Sequence, residues 1–288
     1  MASGATEFID ATTAAVYIPA IWSKYVIRAR EQKLCFARLF TRKYEDDLTY
    51  GATINVPGVS HLTGRTKNLS ANTAVLFETN TESTTAITIG TWGYAAMATE
   101  TATKKQSYKD QMELYAPEMG YALALQVDDD MAALVDDLTT NTLGNLGSFP
   151  TYEDFVKARR LLNNANVPRK GRFGIFSPFS EEGFLQLDQF IRNDYGKIQG
   201  SVDDDDDMGY VGSWFRIPIY VSTNVEGDDT VGHDNVMAHS EGMTVVMQME
   251  PTTHKWLDIN YLADKVVVEQ LYGVKTMRDD HAVWHKAA

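Results

Sequence analysis

The spacing of hydrophobic residues predicts one long helix in the first half of the chain. Apolar side chains recur every three or four residues over Met112–Thr139. Pro117 interrupts this pattern and should kink the helix or begin its second part. Because each helical residue adds about 1.5 Å, roughly thirty residues would form a rod of about 45 Å. The aspartates at 128–130 and 136–137 are predicted to form its solvated face.

Alternating residues before this helix predict β-structure that carries little charge. A strand is predicted at Thr49–Pro57, and β-type runs at Thr73–Phe77 and Thr84–Tyr94 predict a long hairpin within residues 71–103. A two-stranded hairpin buries too little surface to be stable alone in water, and few charges protect its edges from pairing. We therefore expect another surface to cover it, and a neighbouring copy of the chain is the economical candidate.

Helices and strands alternate in the second half of the chain. A cap pair at Thr151 and Asp154 opens a helix that ends near Pro168, and a second helix begins at Ser180–Glu181. Strands are predicted at Arg172–Ser177, Trp214–Ser222, Val236–His239, Thr244–Met249, Trp256–Glu269 and Val274–Met277. The fold class is therefore mixed α+β.

The charge balance limits the possible partners. The 39 Asp and Glu outnumber the 26 Lys and Arg, which gives a net charge of −13. A tight nucleic-acid binder presents a strongly basic surface, and only residues 1–43, with seven Lys or Arg against three Asp or Glu, lean that way. An exposed amphipathic helix face explains that segment, and loose apposition to DNA is the alternative. With no apolar run of membrane-spanning length and no signal-peptide pattern, we expect a soluble cytoplasmic protein.

A search for catalytic motifs gives negative results. The sequence contains neither a phosphate-binding GxxxxGKS/T loop nor a GxGxxG motif. A nucleophile elbow requires Gly two residues before the serine, and Ser240 has Ala238 at that position. The single cysteine, Cys35, excludes an internal disulfide and is interpreted as a small buried side chain. His281 and His285 are predicted to be surface or interface histidines in an extended tail. Neither an enzymatic activity nor a cofactor is predicted.

The acidic run at residues 203–207 is the one candidate for cation binding. Aligned to an EF-hand loop, it places Met208 where Gly is needed and Trp214 where Glu is needed. Five adjacent carboxylates repel one another, so a flexible solvated loop is the default interpretation. The weak metal candidates within the run are Asp203, Asp205 and Asp207.

The order of these elements resembles a known family. Four segments carry local resemblance: YIPAIWSKYV near the start, ARRLLNNANVPRKGRFGIFSP and GYVGSWFRIPIYVSTNV in the middle, and LYGVKTMRDDHAVW at the end. An N-terminal arm, a short basic helix, a Thr-rich hairpin, a long helix, a mixed α+β region and returning strands follow one another over nearly the whole chain. This arrangement resembles the major capsid protein of tailed bacteriophages, which has the Hong Kong 97 fold.

The resemblance implies a division of the chain into named parts. These are an N-arm at 1–43, an extended loop at 44–103, a peripheral domain with the spine helix at 104–144, an axial domain at 145–250, and peripheral return strands with the C-terminus at 251–288. In that arrangement the extended loop reaches over an adjacent subunit, and the axial loops meet at the capsomer centre. The hairpin that is unstable alone would then lie on a neighbour.

The resemblance also implies a function. The chain would be a non-enzymatic structural subunit that assembles as hexamers and pentamers into an icosahedral shell around the phage double-stranded DNA. Its virion would be assembled in the host bacterial cytoplasm, with scaffolding, portal and decoration proteins as partners, non-specific apposition to packaged DNA, and no membrane. A non-viral shell protein of the encapsulin kind and a soluble enzyme are the alternatives.

Two groups of residues are expected at contacts between subunits. The inter-subunit candidates are Trp22, Lys24, Arg28, Arg30, Arg65, Lys67, Glu78 and Glu82. The candidates at the capsomer centre are Asp203, Asp204, Asp205, Asp206 and Asp207. Arg65 and Lys67 are the only positive charges between Lys43 and Lys104, and we expect them to pair with carboxylates of a neighbour.

Overall fold

A computed structural model describes most of the chain. The described residues are 34–45, 50–67, 69, 74–79, 81–107, 111–145, 148–187, 209–228 and 232–287. The chain divides into two units, Met1–Glu31 and Gln32–Ala288, and all described residues belong to the second. The predicted contact residues that lie outside the described part are Trp22, Lys24, Arg28, Arg30 and the run Asp203–Asp207.

The secondary structure is mixed, as predicted. The described helices are α1 (Phe36–Leu39), α2 (Thr101–Gln106), α3 (Gln111–Ala133), α4 (Tyr152–Asn164) and α5 (Pro178–Leu185). The described strands are β1 (Thr53–Val59), β2 (Glu82–Thr88), β3 (Thr91–Glu100), β4 (Thr142–Asn145), β5 (Arg172–Phe176), β6 (Tyr210–Trp214), β7 (Ile217–Val221), β8 (Gly227–Asp228), β9 (Gly232–His239), β10 (Met243–Asp258), β11 (Ala263–Thr276) and β12 (Ala282–Ala287). None of the described helices has the length and hydropathy that a membrane crossing requires.

A seven-stranded sheet forms the centre of the second half. Its order is β4-β12-β9-β5-β7-β6, with β8 paired to β9, and its parallel pairs are β4–β12 and β5–β7. Alternate residues of β5 face opposite sides, so that Phe173 and Ile175 join the core with α1 and α3, whereas Phe176 joins the core with α4 and α5. Because both faces are covered, β5 is buried along its whole length.

A three-stranded antiparallel sheet, β10-β11-β3, supports the long helix α3. The buried amide of Gln270 on β11 donates to the Leu123 carbonyl of the helix at 2.9 Å. The Tyr272 hydroxyl donates to Asp130 at 2.6 Å, and burial together with this carboxylate raises the pKa of Tyr272 far above its usual range. Two side-chain hydrogen bonds from β11 thus fix the position of α3 along the sheet.

The predicted hairpin of residues 73–94 is wrong. β2 pairs with β1, with Thr53 opposite Thr88 and Val59 opposite Glu82, whereas β3 pairs with β11. Residues 74–77, which belong to the predicted strand Thr73–Phe77, lie in a non-repetitive connection. The alternating pattern identifies the strands but does not specify which strands pair, because pairing depends on surfaces supplied by distant parts of the chain.

Three other boundaries differ from the sequence pattern. α3 ends at Ala133, so its 23 residues span about 34 Å. The apolar pattern extends beyond the helix, because Val135 and Leu138 are buried in the segment that follows it. The predicted strand Trp214–Ser222 contains the last residue of β6, a tight turn and the whole of β7. The predicted strand Trp256–Glu269 is the end of β10, a turn and the start of β11.

The predicted helix starts are confirmed in detail for α4 and approximately for α5. The Asp154 N–H donates to the Thr151 hydroxyl at 3.3 Å, and the Thr151 N–H donates to the Asp154 carboxylate at 3.2 Å, which completes a capping box. α5 begins at Pro178, two residues earlier than predicted, because Ser177 supplies the cap. Cys35 is fully buried, as predicted.

The prediction of a solvated aspartate face is wrong at Asp128. This residue is completely buried. Its carboxylate accepts from the N–H groups of Ala37 at 2.9 Å and Cys35 at 3.3 Å, and from the Asn224 side chain at 3.0 Å. Burial raises the pKa of Asp128, and the three donors act in the opposite direction. Asp128 therefore joins α3, the start of α1 and the turn after β7, whereas Asp129, Asp136 and Asp137 are exposed as predicted.

We expect Asp128→Asn to lower the free energy of unfolding by about 1–3 kcal/mol, because the new NH₂ group would face a buried donor. Urea denaturation of the full chain measures this change. The matched control, Asp137→Asn, removes the same charge at an exposed position and should change stability by less than about 0.5 kcal/mol. Equal unfolding midpoints for both variants would contradict the role assigned to Asp128.

The capping box predicts a pH dependence. His285 Nε2 lies 3.9 Å from the Asp154 carboxylate. This imidazole and the hydrogen bonds from Thr151 hold the pKa of Asp154 well below its usual range, against the effect of burial. A carboxyl with a depressed folded pKa stabilises the fold above the unfolded pKa, and that stabilisation is lost as the pH falls through the folded value.

We therefore expect Asp154→Asn to be less stable than the natural chain by about 1 kcal/mol at pH 7. The difference should shrink progressively below about pH 4. Urea titrations at pH 7, 4 and 3 measure it. A difference that stayed constant down to pH 3 would show that the carboxylate charge contributes nothing.

Candidate functional site

The ribbon formed by β1 and β2 is attached to the rest of the structure at one end. Ile87, Ile89 and Val246 form a small buried cluster at that end, and the Ile89 N–H donates to the Ala52 carbonyl at 2.9 Å. Gly273 on β11 passes so close to the end of β2 that a Cβ there would collide with the Thr88 carbonyl. A glycine is therefore required where the ribbon crosses the sheet.

Beyond this base, the ribbon and its connection expose many apolar side chains. Phe77 is 92% exposed and Val59 is 83% exposed. We call the following set the extended-loop surface: Val59, Leu62, Leu69, Val75, Leu76 and Phe77. Exposed apolar groups concentrated in one segment are typical of interaction surfaces. The described part of the chain leaves this surface uncovered.

The charged residues predicted for this loop fall into two groups. Arg65 and Glu78 pair with each other at 2.8 Å, and the Glu78 carboxylate also accepts from the Thr63 N–H at 2.9 Å. That N–H and the Arg65 guanidinium lower the pKa of Glu78. Lys67 and Glu82 are exposed and form no ion pair within the described residues. The predicted pairing of Arg65 with another subunit therefore has a competitor inside the chain.

A second exposed apolar group lies at the tip of the β10–β11 hairpin. We call the following set the hairpin-tip surface: Trp256, Leu257, Ile259, Tyr261 and Leu262. Lys265 fixes the tip, because its Nζ contacts Asp258 at 2.6 Å and lies 4.8 Å from the Tyr261 ring centroid. This surface was not predicted from the sequence, because Trp256–Glu269 was interpreted as one strand, although its residues Asp258–Asn260 are typical of turns.

The described residues contain one group with the composition of a metal site. Ligand atoms of His239, Glu241 and His281 lie within 4.8 Å of one another. Both ring nitrogens of His239 are already used: Nδ1 accepts from the Glu241 N–H at 3.1 Å, and Nε2 lies 3.0 Å from the Lys170 carbonyl. The Glu241 carboxylate pairs with Lys43 at 3.1 Å. A metal ion would have to replace these contacts. The cluster is better explained as a set of hydrogen bonds and an ion pair that stabilise the fold.

Two predicted histidine positions are corrected by the structure. His281 and His285, predicted to be surface or interface histidines, are 5% and 2% exposed. The tail is also not a free extended segment: residues 279–281 form a 3-10 turn, and β12 pairs with β9 and β4. Burial lowers the pKa of His281. The tail therefore belongs to the core, and the pattern of alternating residues could not reveal its partner strands.

The Arg65–Glu78 pair predicts a local effect. We expect Glu78→Gln to loosen the connection between β1 and β2 without changing the thermal unfolding temperature, because an exposed ion pair contributes little to global stability. Limited proteolysis should cut the 60–81 segment faster in this variant. Glu82→Gln, which removes the same charge at an unpaired position of the ribbon, is the control and should be cut at the natural rate. Identical cleavage of both variants would show that the pair does not order the loop.

Solved phage structures share this fold. A structure from Mycobacterium phage Che8 aligns with a TM-score of 0.78 and 20% identity, over 93% of this chain and 97% of that chain. The capsid of cyanophage P-SCSP1u aligns at 0.73 with 16% identity, over 96% and 94%, and the mature capsid of bacteriophage PhiM1 at 0.69 with 14%, over 94% and 92%. No family model and no curated protein matches the sequence. Over almost its whole length, the chain thus has the mixed α+β fold of phage capsid proteins.

Proposed function

We propose that this chain is a major capsid protein: a structural subunit that assembles with copies of itself into the icosahedral shell around a phage double-stranded DNA genome. The observation that carries the proposal is the fold, which matches phage capsids over more than nine-tenths of both chains. A partial match could reflect a shared domain, but this one includes the ribbon, the long helix and the central sheet together. The virion is the corresponding location, with assembly in the host bacterial cytoplasm.

The exposed apolar surfaces support assembly. An isolated two-stranded ribbon is marginally stable in water, and an uncovered apolar segment promotes aggregation unless a partner covers it. The extended-loop surface and the hairpin-tip surface lie at the ends of long β-elements. In a shell, adjacent copies would cover both surfaces, and no further partner is needed to explain them.

The arrangement of elements supports a Hong Kong 97-type subunit. β1 and β2 correspond to the extended loop, α3 to the spine helix, and the three-stranded sheet to the peripheral domain. The seven-stranded sheet corresponds to the axial domain. β12 (Ala282–Ala287) belongs to that seven-stranded sheet, so we place the end of the peripheral return at Thr276.

The remaining parts of the proposal concern other molecules. Residues 1–43 would act as an N-arm, and the acidic run at 203–207 would lie near the capsomer centre, where copies converge. Scaffolding, portal and decoration proteins are the expected partners. Apposition to packaged DNA would be non-specific, and it would be loose because the chain is acidic overall.

Electron microscopy of the full chain, with size-exclusion chromatography, tests the proposal. We expect shells, tubes or ring-shaped capsomers, either from the purified chain or when it is produced together with the other virion genes. Particles that contain nucleic acid support a virus, whereas particles that enclose a protein cargo support the encapsulin alternative. Small oligomers under both conditions would overturn the proposal and favour a soluble protein.

A single substitution tests the extended-loop surface. Phe77→Ser should reduce the yield of assembled particles at least tenfold, because a neighbour would lose a contact with an exposed aromatic side chain in this loop. Circular dichroism should stay unchanged, since Phe77 is 92% exposed. The control, Val156→Ser, changes a 42%-exposed apolar residue on α4 and should assemble normally. Normal particles from the Phe77 variant would rule out this surface as a subunit contact.

A further inference from the structure

The turn between β6 and β7 has an unusual sequence for its conformation. Trp214 pairs with Ile217, which leaves Phe215 and Arg216 as a two-residue turn. Both residues have positive φ angles, 50° and 66°, in a position where Asn-Gly is the common choice. Bulky residues in this backbone region carry strain, and such strain is often found at functional sites. The turn therefore presents an arginine at an energetic cost.

Arg216 faces a cavity that other cations line. The cavity has a volume of about 620 Å³, and its charged lining residues are Arg159, Arg169, Lys170, Arg172 and Arg216. They come from α4, from the connection between α4 and β5, from β5 and from the turn. None of the five forms an ion pair with a carboxylate in the described part of the chain. In a protein with a net charge of −13, five uncompensated cations around one cavity form a local positive potential.

Arg172 forms the fixed floor of this basic pocket. It is 4% exposed, and its guanidinium donates to the carbonyls of Pro168 at 2.9 Å and Val167 at 2.6 Å, and to the Asn163 side chain at 2.9 Å. Burial lowers the pKa of Arg172, and the charges of Arg169 and Arg159 lower it further. A buried arginine is usually paired with an anion, but only neutral oxygens surround this one among the described residues.

Arg159 is held over an aromatic platform. Its guanidinium carbon lies 4.8 Å from the Phe215 ring centroid, and the Phe215 ring stacks on Trp214 with centroids 5.4 Å apart. Stacking restricts the guanidinium plane, so less conformational entropy is lost when its N–H groups bind a ligand. A planar guanidinium group can donate two parallel N–H hydrogen bonds to two oxygens of one phosphate. The pocket therefore combines one buried, hydrogen-bonded arginine, one stacked arginine and three exposed cations, Arg169, Lys170 and Arg216.

We propose that the basic pocket binds a phosphate-bearing anion of the polyphosphate class, such as a triphosphate. Its volume is within the range of small-ligand sites, and several arginines around one cavity match the clustered charge of linked phosphates better than a single carboxylate. This inference goes beyond shell formation and does not depend on it, because every lining residue belongs to one chain. Free nucleotides and the ends of nucleic acids are two sources of the same chemistry.

Isothermal titration of the full chain with sodium tripolyphosphate at low ionic strength tests the proposal. We expect a saturable site whose affinity falls as salt is added. Arg159→Gln should weaken binding at least tenfold. Arg160→Gln is the matched control, because this neighbour is exposed on the same helix and does not line the pocket; its affinity should stay within twofold of the natural chain.

A second variant separates binding from folding. Arg216→Asn removes a cation and places at the turn a residue that tolerates positive φ. We expect weaker tripolyphosphate binding together with an unchanged or higher unfolding temperature. A variant that lost affinity only because it unfolded would show the opposite change in temperature.

The competing ligands define the outcomes. Displacement of tripolyphosphate by a nucleoside triphosphate, or by a short DNA oligonucleotide, supports the proposal and identifies the source of the phosphate. Three results overturn it: no saturable heat, an equal loss of affinity in the Arg160 variant, or tighter binding of a hexa-aspartate peptide. The last result would assign the pocket to carboxylates, such as those of another copy's acidic run.

Discussion

A single buried carboxylate connects three separate parts of this chain. Asp128 accepts hydrogen bonds from the start of α1, and from Asn224 in the turn after β7, while its own backbone belongs to α3. Desolvating a carboxylate is costly unless donors replace the lost water, so these three parts must meet in one geometry. The core that contains Cys35, Phe36 and Phe173 closes around this point. The position of the long helix relative to the central sheet follows from it.

Most apolar side chains of the central sheet pack inside the chain, whereas many of those on the ribbon connection and the hairpin tip are exposed. Both faces of β5 and β9 contribute to cores, so the central part of the fold is complete within one chain. The extended-loop surface and the hairpin-tip surface have no comparable cover in the described residues. The fold therefore separates a well-packed body from peripheral β-elements whose apolar groups are exposed in the described residues.

The sequence predicts the elements of this fold better than their partners. The capping box at Thr151 and Asp154 is confirmed, because a cap depends on residues three positions apart. The pairing of β2 with β1 was missed, because it depends on surfaces from distant segments. Asp128 lies at the edge of the apolar stripe of α3 and was predicted to be solvated because it is charged, yet it is buried, since distant segments supply its hydrogen-bond donors. At the candidate site, Arg65 and Glu78 were predicted as contacts between subunits, and their pairing with each other within the chain could not be predicted, because it depends on the folded loop.

The attachment of the ribbon has a mechanical consequence. Seven residues per strand give the ribbon a length of about 24 Å, and its root is a small apolar cluster beside a glycine crossing. By simple leverage on that length, a rotation of about 10° at the root moves the far end by about 4 Å. The register between the two strands would be unchanged, since the rotation occurs outside their hydrogen bonds. The far end of the ribbon can therefore change its direction by several ångströms without repacking of the central sheet.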